Sequence, residues 1–481
     1  MSLKTPDWVK NAVFYQIFPD RFRRSGRADL PAGLNFKPWG SPPEEQGFQG
    51  GDLFGVADSL DYLADLGITA IYLCPIFSSA ANHRYHTFDY FQVDPLLGGE
   101  AGLRELLDRA HQRGMRVVLD GVFNHASRGF WPFHHILENG GNSPYLDWFI
   151  IRDWPLRPYS SNKHNPPNYD CWWNLPALPK LNVDNPDVQD YILKVARHWI
   201  DFGIDGWRLD VPEEIDNPDF WRRFRNPVKA GNPEAYICGE IWRIAPEWLE
   251  GDRFDALMNY PFGEAGLCFL GGKKLRAEYQ HGEFYKLEPI DAAGLRQRLD
   301  RLTRAYSWEA ICAQLNLFDS HDTARIHWML GEDREALRLA VYYQMTMPGA
   351  PCVYYGDEIG LRGAHEPFSR EAFPWESRES WDEDVLKLYQ EAIRLRHEHP
   401  VLRTGSLQIL HATGHTFVFL RRLEDTSMVV AFNAAYQPAE VSVDGVPARG
   451  QWQNLTGSGE ARAAGEKITL SMPARSVMIL K

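Results

Sequence analysis

Three acidic residues stand at the ends of short apolar runs: Asp210 in Gly206-Trp207-Arg208-Leu209-Asp210, Glu240 in Cys238-Gly239-Glu240-Ile241-Trp242, and Asp322 in Phe318-Asp319-Ser320-His321-Asp322. Carboxylates are costly in such surroundings unless they are paired or do chemistry. On a strand, residues i and i+2 share a face, so Arg208 and Asp210 point the same way, and the guanidinium keeps the carboxylate charged and nucleophilic. A structural Arg–Asp pair gives the same pattern. Glu240 lies among Gly239, Ile241 and Trp242, an apolar setting that raises a carboxyl pKa as a general acid requires; a paired helix-cap Glu is the alternative. A nucleophilic carboxylate and a general acid about 5–5.5 Å apart are the parts of retaining glycoside hydrolysis. The chain's 17 Trp and 20 Tyr could supply faces for pyranose rings, although most must be core.

His125, closing Asp120-Gly121-Val122-Phe123-Asn124-His125, and His321, preceding Asp322, also fall at strand ends, which suits contacts to a polar substrate. Metal ligation by these histidines and the carboxylates is the rival reading, but no HxxxH, HxH or CxxC spacing supports a zinc site.

To bring such residues together, several strands must present their ends to one place. Eight strand-like runs occur: Val13–Phe18, Ala70–Pro75, Arg116–Asp120, Gly203–Leu209, Tyr236–Gly239, Asp255–Asn259, Ala313–Phe318 and Cys352–Tyr355. Helix-compatible stretches such as Glu100–Arg113 and Pro186–Phe202 alternate with them, ending near Gly114 and Gly203. This alternation predicts an α/β fold, a (β/α)8 barrel whose active site lies at the C-terminal ends of the strands. The Pro-, Asn- and aromatic-rich stretch after Asn124, including Pro166-Pro167 and Trp172-Trp173, predicts a small domain inserted after the third strand, over the barrel mouth. Past Thr404, alternating runs at Thr416–Leu420, Met428–Phe432 and Ala474–Leu480 predict an antiparallel β-sandwich. The expected organisation is barrel over 1–124 and 182–403, inserted domain over 125–181, and C-terminal domain over 404–481.

With 51 Lys+Arg against 64 Asp+Glu, the chain carries −13, which argues against nucleic acid as a partner. No stretch reaches the length of a membrane span, and Met1-Ser2-Leu3-Lys4-Thr5-Pro6-Asp7 has no apolar signal core, so the expectation is a cytoplasmic protein. Six cysteines without a CxxC pair read as reduced, with Cys74, Cys238, Cys312 and Cys352 in apolar runs.

Four ordered motifs, Asp120–His125, Gly206–Asp210, Gly239–Trp242 and Phe318–Asp322, resemble the conserved regions of the α-amylase family, glycoside hydrolase family 13, and the resemblance covers essentially the whole chain. It implies Asp210 as nucleophile, Glu240 as acid/base, and Asp322 holding sugar hydroxyls in the transition state. It also implies substrate contacts from Tyr85, His125, Arg208, His321, Glu214 and Trp242, with Tyr85 as the platform beneath the first sugar. Leu178-Pro179-Lys180-Leu181-Asn182, Asp210-Val211-Pro212-Glu213-Glu214 and Asn82-His83-Arg84-Tyr85 are similar to the MPKLN, DVANE and NHKY stretches of neopullulanases, cyclomaltodextrinases and maltogenic amylases. His86 stands where that group has Asp, and Pro212-Glu213 where it has Ala-Asn.

The group's N-terminal β-sandwich has no counterpart before Trp8-Val9, which leaves monomer or dimer open. Its calcium loop is poorly matched by Arg23–Asp29; Gly51 and Asp52 are the candidate ligands for a structural calcium, and no cofactor is required. The expectation is a retaining hydrolase of α-1,4 bonds in maltooligosaccharides, cyclodextrins or pullulan, with transglycosylation as a further activity. An exo-acting α-glucosidase or glucanotransferase of the same family is the nearer alternative, and an inactive carbohydrate-binding barrel the remote one.

Overall fold

The computed structural model describes residues 3–162, 164–448 and 451–481; Met1 and Ser2 of the opening segment lie outside the described residues. Eight parallel strands, β1 (Phe14–Ile17), β2 (Ala70–Leu73), β3 (Arg116–Gly121), β4 (Gly206–Leu209), β5 (Tyr236–Gly239), β6 (Ala256–Leu257), β7 (Leu315–Asn316) and β8 (Ala350–Tyr354), form one sheet in the order β7-β8-β1-β2-β3-β4-β5-β6. A parallel bridge from Met258 to Leu315 closes it into the expected barrel. Its register aligns Asp120, Arg208 and Cys238 across β3, β4 and β5.

Strand β4 shows how the sequence sets this up. Trp207 faces out, donating Nε1–H to the Ala196 carbonyl of helix Pro186–Phe202 at 3.3 Å, so Arg208 faces in. Gly206 permits the close approach to β5, since a Cβ there would lie 2.3 Å from the Tyr236 carbonyl oxygen. The helix begins at Asn185, whose side chain accepts from Asp187 N–H, with Pro186 at the first position, and it stops at Gly203 with φ 117°.

Strands β6 and β7 keep only two residues each, far fewer than their apolar runs predict. At β6, the Asp255 carboxylate takes the Ile237 N–H and the side chains of Arg225 and Lys229, and Gln314 Oε1 takes the Leu257 N–H. Side chains thus do part of the work of the ladder. At β7, Ala313 belongs instead to helix Trp308–Ala313.

Two excursions rise from the strand ends. After β2, a hairpin of Phe77–Ser79 and Thr87–Val93 carries His83, Tyr85 and His86 at its tip, anchored by a buried Arg84–Asp94 pair at 2.7 Å. After β3, irregular chain is tied by single bridges, His125 to Lys180, Phe149 to Leu181, Ile151 to Tyr169 and Cys171 to Pro179.

The C-terminal strands β9 (Ser406–Thr413), β10 (Thr416–Leu423), β11 (Thr426–Asn433), β12 (Ala439–Asp444), β13 (Glu460–Ala464), β14 (Lys467–Met472) and β15 (Ser476–Leu480) form two antiparallel sheets, β9-β10-β11-β15 and β12-β14-β13. Val418, Leu420, Val429 and Ala431 face the second sheet and close a separate small core, while Phe417, Phe419, Val430 and Phe432 join the core of the barrel. At that junction sit two fully enclosed arginines. Arg421 donates to the carbonyls of Ser406, Thr346, Leu402 and Gly405; Arg396 donates to those of Met345, Met347, Leu402 and Gly349. Burial pushes both guanidiniums down to about 9. All six cysteines are free, and no helix among the described residues is long and apolar enough to cross a membrane.

Candidate active site

Arg208 is the hub of the barrel mouth. Its Nη1 donates to Asp120 at 2.8 Å and to Asp210 Oδ1 at 3.0 Å, and its Nη2 lies 2.8 Å from Glu240 Oε2 in an ion pair off hydrogen-bond alignment. Its Nε meets the Met258 sulfur at 3.3 Å. Three carboxyls therefore share one buried cation. Burial pushes Asp210 well above its ordinary range and raises Glu240 and Asp120 too, while Arg208 pulls all three down.

Each carboxyl is also fixed by its own donors. Asp120 Oδ2 takes the hydroxyls of Tyr72 at 2.6 Å and Tyr85 at 2.8 Å. Glu240 Oε1 takes the Trp242 indole N–H at 3.1 Å, and its Oε2 takes the Val211 backbone N–H at 3.0 Å. That amide is aimed by a left-handed backbone at Val211, φ 35° and ψ 53°, an outlier for a β-branched residue directly after Asp210. Trp242 lies flat on Tyr260, centroids 3.5 Å apart, with His281 parallel at 4.8 Å.

The two histidines are buried and neutral. His321 Nδ1 meets Gln16 Nε2 at 2.9 Å and its Nε2 meets the Tyr85 hydroxyl at 2.5 Å, which joins β1, β7 and the β2 hairpin in one hydrogen-bonded chain. His125 Nδ1 meets Asn124 Nδ2 at 3.2 Å, whereas His125 Nε2 and Asn124 Oδ1 are enclosed without a partner. Burial lowers His321 well below its ordinary value and His125 to about 3. Asp322 is more open: its Oδ1 lies 3.3 Å from His321 Nε2 and 3.5 Å from Arg370.

Asp210, Glu240, Asp322, Tyr85, His125, Arg208, His321 and Trp242 thus gather at the strand ends. Glu214 stands at the rim, where its carboxylate takes Lys180 Nζ at 3.1 Å; this pair joins the LPKLN and DVPEE segments. Gly51 and Asp52 are elsewhere and have other partners. Asp52 caps helix Leu53–Asp58 through Gly55 N–H at 2.7 Å and takes both the N–H and hydroxyl of Ser25 at 2.9 Å. Gly51 donates its N–H to the Asp20 carbonyl, and neighbouring Asp20 pairs with Arg21. These carboxylates are occupied by N–H, O–H and guanidinium donors, so the residues present do not fit a calcium ion. No group of three or more His, Cys, Asp or Glu able to hold a metal occurs among the described residues.

Sequence reasoning passed over Gln16, Tyr72, Tyr260 and Arg370 as site residues. Tyr72 and Gln16 do carry a signal: polar groups inside the apolar strands β1 and β2, on the inward face. Tyr260 and Arg370 carry none, because only the closed barrel brings them to Trp242 and Asp322.

Residues 16–380 match the alpha amylase catalytic domain, and residues 405–480 match the alpha-amylase C-terminal domain. A cyclomaltodextrinase from a Bacillus species is 44% identical over 432 residues, 89% of this chain and 73% of that protein. Neopullulanase 2 of Thermoactinomyces vulgaris is 42% identical, over 89% of this chain and 70% of its own. Among solved structures, a debranching enzyme from Nostoc punctiforme superposes with a TM-score of 0.91 at 46% identity, covering 100% of both chains. With the hub of carboxyls at the barrel mouth and matches of this extent, the chain belongs to the alpha-amylase family of glycoside hydrolases.

Proposed function

We propose that this enzyme hydrolyses α-1,4-glucosidic bonds of maltooligosaccharides, cyclodextrins or pullulan with retention of configuration. The observation that carries the reading is the single guanidinium of Arg208 holding both Asp210 and Glu240. Two carboxyls paired to neighbouring nitrogens of one cation lie within reach of one glycosidic bond, as a nucleophile and an acid/base must.

Glu240, raised by burial and by the nearby Asp322 charge, protonates the glycosidic oxygen while an Asp210 oxygen attacks the anomeric carbon. The glycosidic bond breaks and an ester to Asp210 forms. Glu240, now ionised, takes a proton from water, whose oxygen attacks the same carbon and frees Asp210. A sugar hydroxyl in place of that water gives transglycosylation. Neutral His125 offers its unpartnered Nε2 to a sugar hydroxyl, Asp322 accepts from others, His321 positions the Tyr85 hydroxyl, and Tyr85 lines the floor. Action in the cytoplasm fits six unpaired cysteines.

A second reading, cleavage of α-1,6 branches, is favoured by one finding: the debranching enzyme matches this chain end to end. Incubation with β-cyclodextrin, pullulan and maltotriose side by side separates the two. Opened cyclodextrin and panose from pullulan are expected. Maltotriose as the pullulan product moves the chain to the debranching side, and glucose from maltotriose alone moves it to the α-glucosidases.

A further inference from the structure

We propose that Asp319 and Asp357 share one proton and through it position the turn that carries His321 and Asp322, so that the site loses its shape when the proton leaves. The positioning role rests on the hydrolase reading above. Asp319 follows β7, three residues before Asp322, and Asp357 opens the short helix Asp357–Ile359 after β8. Both side chains are enclosed, and the two carboxyls are hydrogen-bonded to each other across the β7–β8 seam. A carboxylate only accepts, so such a bond requires a proton on one of the pair.

The partners of the pair show where the proton sits. Asp319 Oδ2 takes the Ile326 N–H at 2.6 Å, and Asp357 Oδ1 takes Arg325 Nη1 at 3.0 Å. Burial pushes both carboxyls up, and the Asp319 charge pushes Asp357 further, so Asp357 holds the proton and donates it to an ionised Asp319. Arg325 is the cation facing them, against three enclosed carboxyls once Glu358 is counted. Glu358 is settled separately, by the hydroxyls of Tyr15 at 2.7 Å and Tyr62 at 2.6 Å and by the Gly356 N–H at 2.9 Å. Around the pair stand Cys352, Tyr354 and Tyr355 from β8 and its end, and Tyr389 from helix Glu383–Glu398. Tyr279 and Tyr285 face it from the neighbouring hairpin. Burial pushes this thiol and these phenols up, so they stay neutral while the pair titrates.

The pair acts on the site through one turn. Asp319 spans it by its bond to Ile326, the first residue of helix Ile326–Met329. Inside it, Ser320 N–H donates to Thr323 Oγ1 at 2.9 Å and Asp322 N–H to Ser320 Oγ at 3.2 Å, so the Asp322 backbone is held within the span that Asp319 closes. Without the shared proton, two anions meet in an enclosed space, Asp319 is driven from Asp357, and the turn moves with it. A plain helix cap at Asp319 needs no second carboxyl behind it.

The test is kcat and kcat/KM against pH on whichever of β-cyclodextrin, pullulan and maltotriose is cut fastest, with Asp357→Asn and Asp319→Ala. In Asp357→Asn the amide still donates to Asp319 and its oxygen still accepts from Arg325, with no proton to lose. Its rate near neutrality should stay within about threefold of the parent's, and its alkaline limb should lie higher by about one pH unit. Glu240 is untouched, so a limb set by Glu240 alone would not move. Asp319→Ala, measured per folded molecule, should lose about ten-fold in kcat with KM little changed, as a misplaced transition-state contact does. Coincident alkaline limbs for the parent and Asp357→Asn, or an undiminished kcat in Asp319→Ala, overturn the proposal and leave the hydrolase standing. If none of the three substrates is cut, the hydrolase reading falls, and the positioning role with it. Tm gives a readout without substrate: a carboxyl raised on folding stabilises fully below its unfolded value and loses that stability as pH rises through the folded one. Asp357→Asn should therefore hold its Tm further into alkali than the parent, and equal losses overturn the shared proton.

Discussion

Arg208 at the barrel mouth and the Arg396–Arg421 pair at the C-terminal junction are equally buried and are satisfied in opposite ways. Arg208 faces three carboxyls, Asp120, Asp210 and Glu240, more negative charge than it can balance. Arg396 and Arg421 donate to backbone carbonyls, which carry no net charge and do not titrate. The carbonyl clamp fixes two structural units with a pH-independent set of acceptors, using the several donors a guanidinium presents at once. The carboxyl hub is electrostatically unsettled, so its protons are poised to move. Chemistry is placed at the unsettled centre and cohesion at the settled one.

Breaking the hub should show this most strongly. Asp210→Asn is expected to lower kcat on maltotriose by about 10⁴-fold or more, as loss of a residue acting in a unit does, with Tm held within a few degrees. It removes a charge from an over-anionic site, and substantial residual turnover would sink the nucleophile assignment.

The clamp should respond in reverse. Arg421→Met takes a donor from the Ser406, Thr346 and Gly405 carbonyls, while Leu402 keeps Arg396; at about 1–3 kcal/mol for each buried group left unpaired, several kcal/mol of stability should go. Urea midpoints and rates per folded molecule check it. A stability loss no larger than that of Asp210→Asn would remove the distinction.

Titration sharpens the contrast further. Asp210, Glu240 and Asp120 are raised on folding, so their contribution to stability is complete below the ordinary carboxylate range and is lost as pH rises through the folded values. Arg396 and Arg421 keep their protons in both states below about 9 and add no slope there. Tm against pH should therefore be flatter for Asp210→Asn than for the parent between acid and neutral. In kcat/KM, the acid limb should lie above the ordinary Asp value of 3.8; a limb at or below it contradicts the burial argument.

The smallest effect belongs to the rim. Lys180→Ala breaks a partly exposed pair with Glu214, which is worth roughly 0–1 kcal/mol, so Tm should hardly move. A large drop in Tm would place the rim with the clamp.

How far the sequence reveals these centres depends on how local their causes are. Asp210, Glu240 and Asp322 stand out because an acid after an apolar run is locally anomalous. The barrel follows from eight such runs, and the helix at Pro186–Phe202 carries its own start and stop signals. Strands β6 and β7 are misjudged in length because Asp255 and Gln314 replace ladder bonds with side-chain bonds, which hydropathy does not register. The hairpin after β2 is hidden because its strands meet with register shifts. Arg396 and Arg421 are invisible for a plainer reason. In a helix and a strand of a charged protein they look like surface residues, and only the assembled junction encloses them.

Val211 sets a limit on improving this enzyme. Its left-handed backbone stores roughly 1–3 kcal/mol of strain and in doing so aims an amide at Glu240. Glycine at that position would release the strain and free the amide to wander. Selection for heat resistance alone would favour that exchange, and selection for turnover would reverse it. Position 211 is therefore a place where thermal screens and activity screens should return opposite winners.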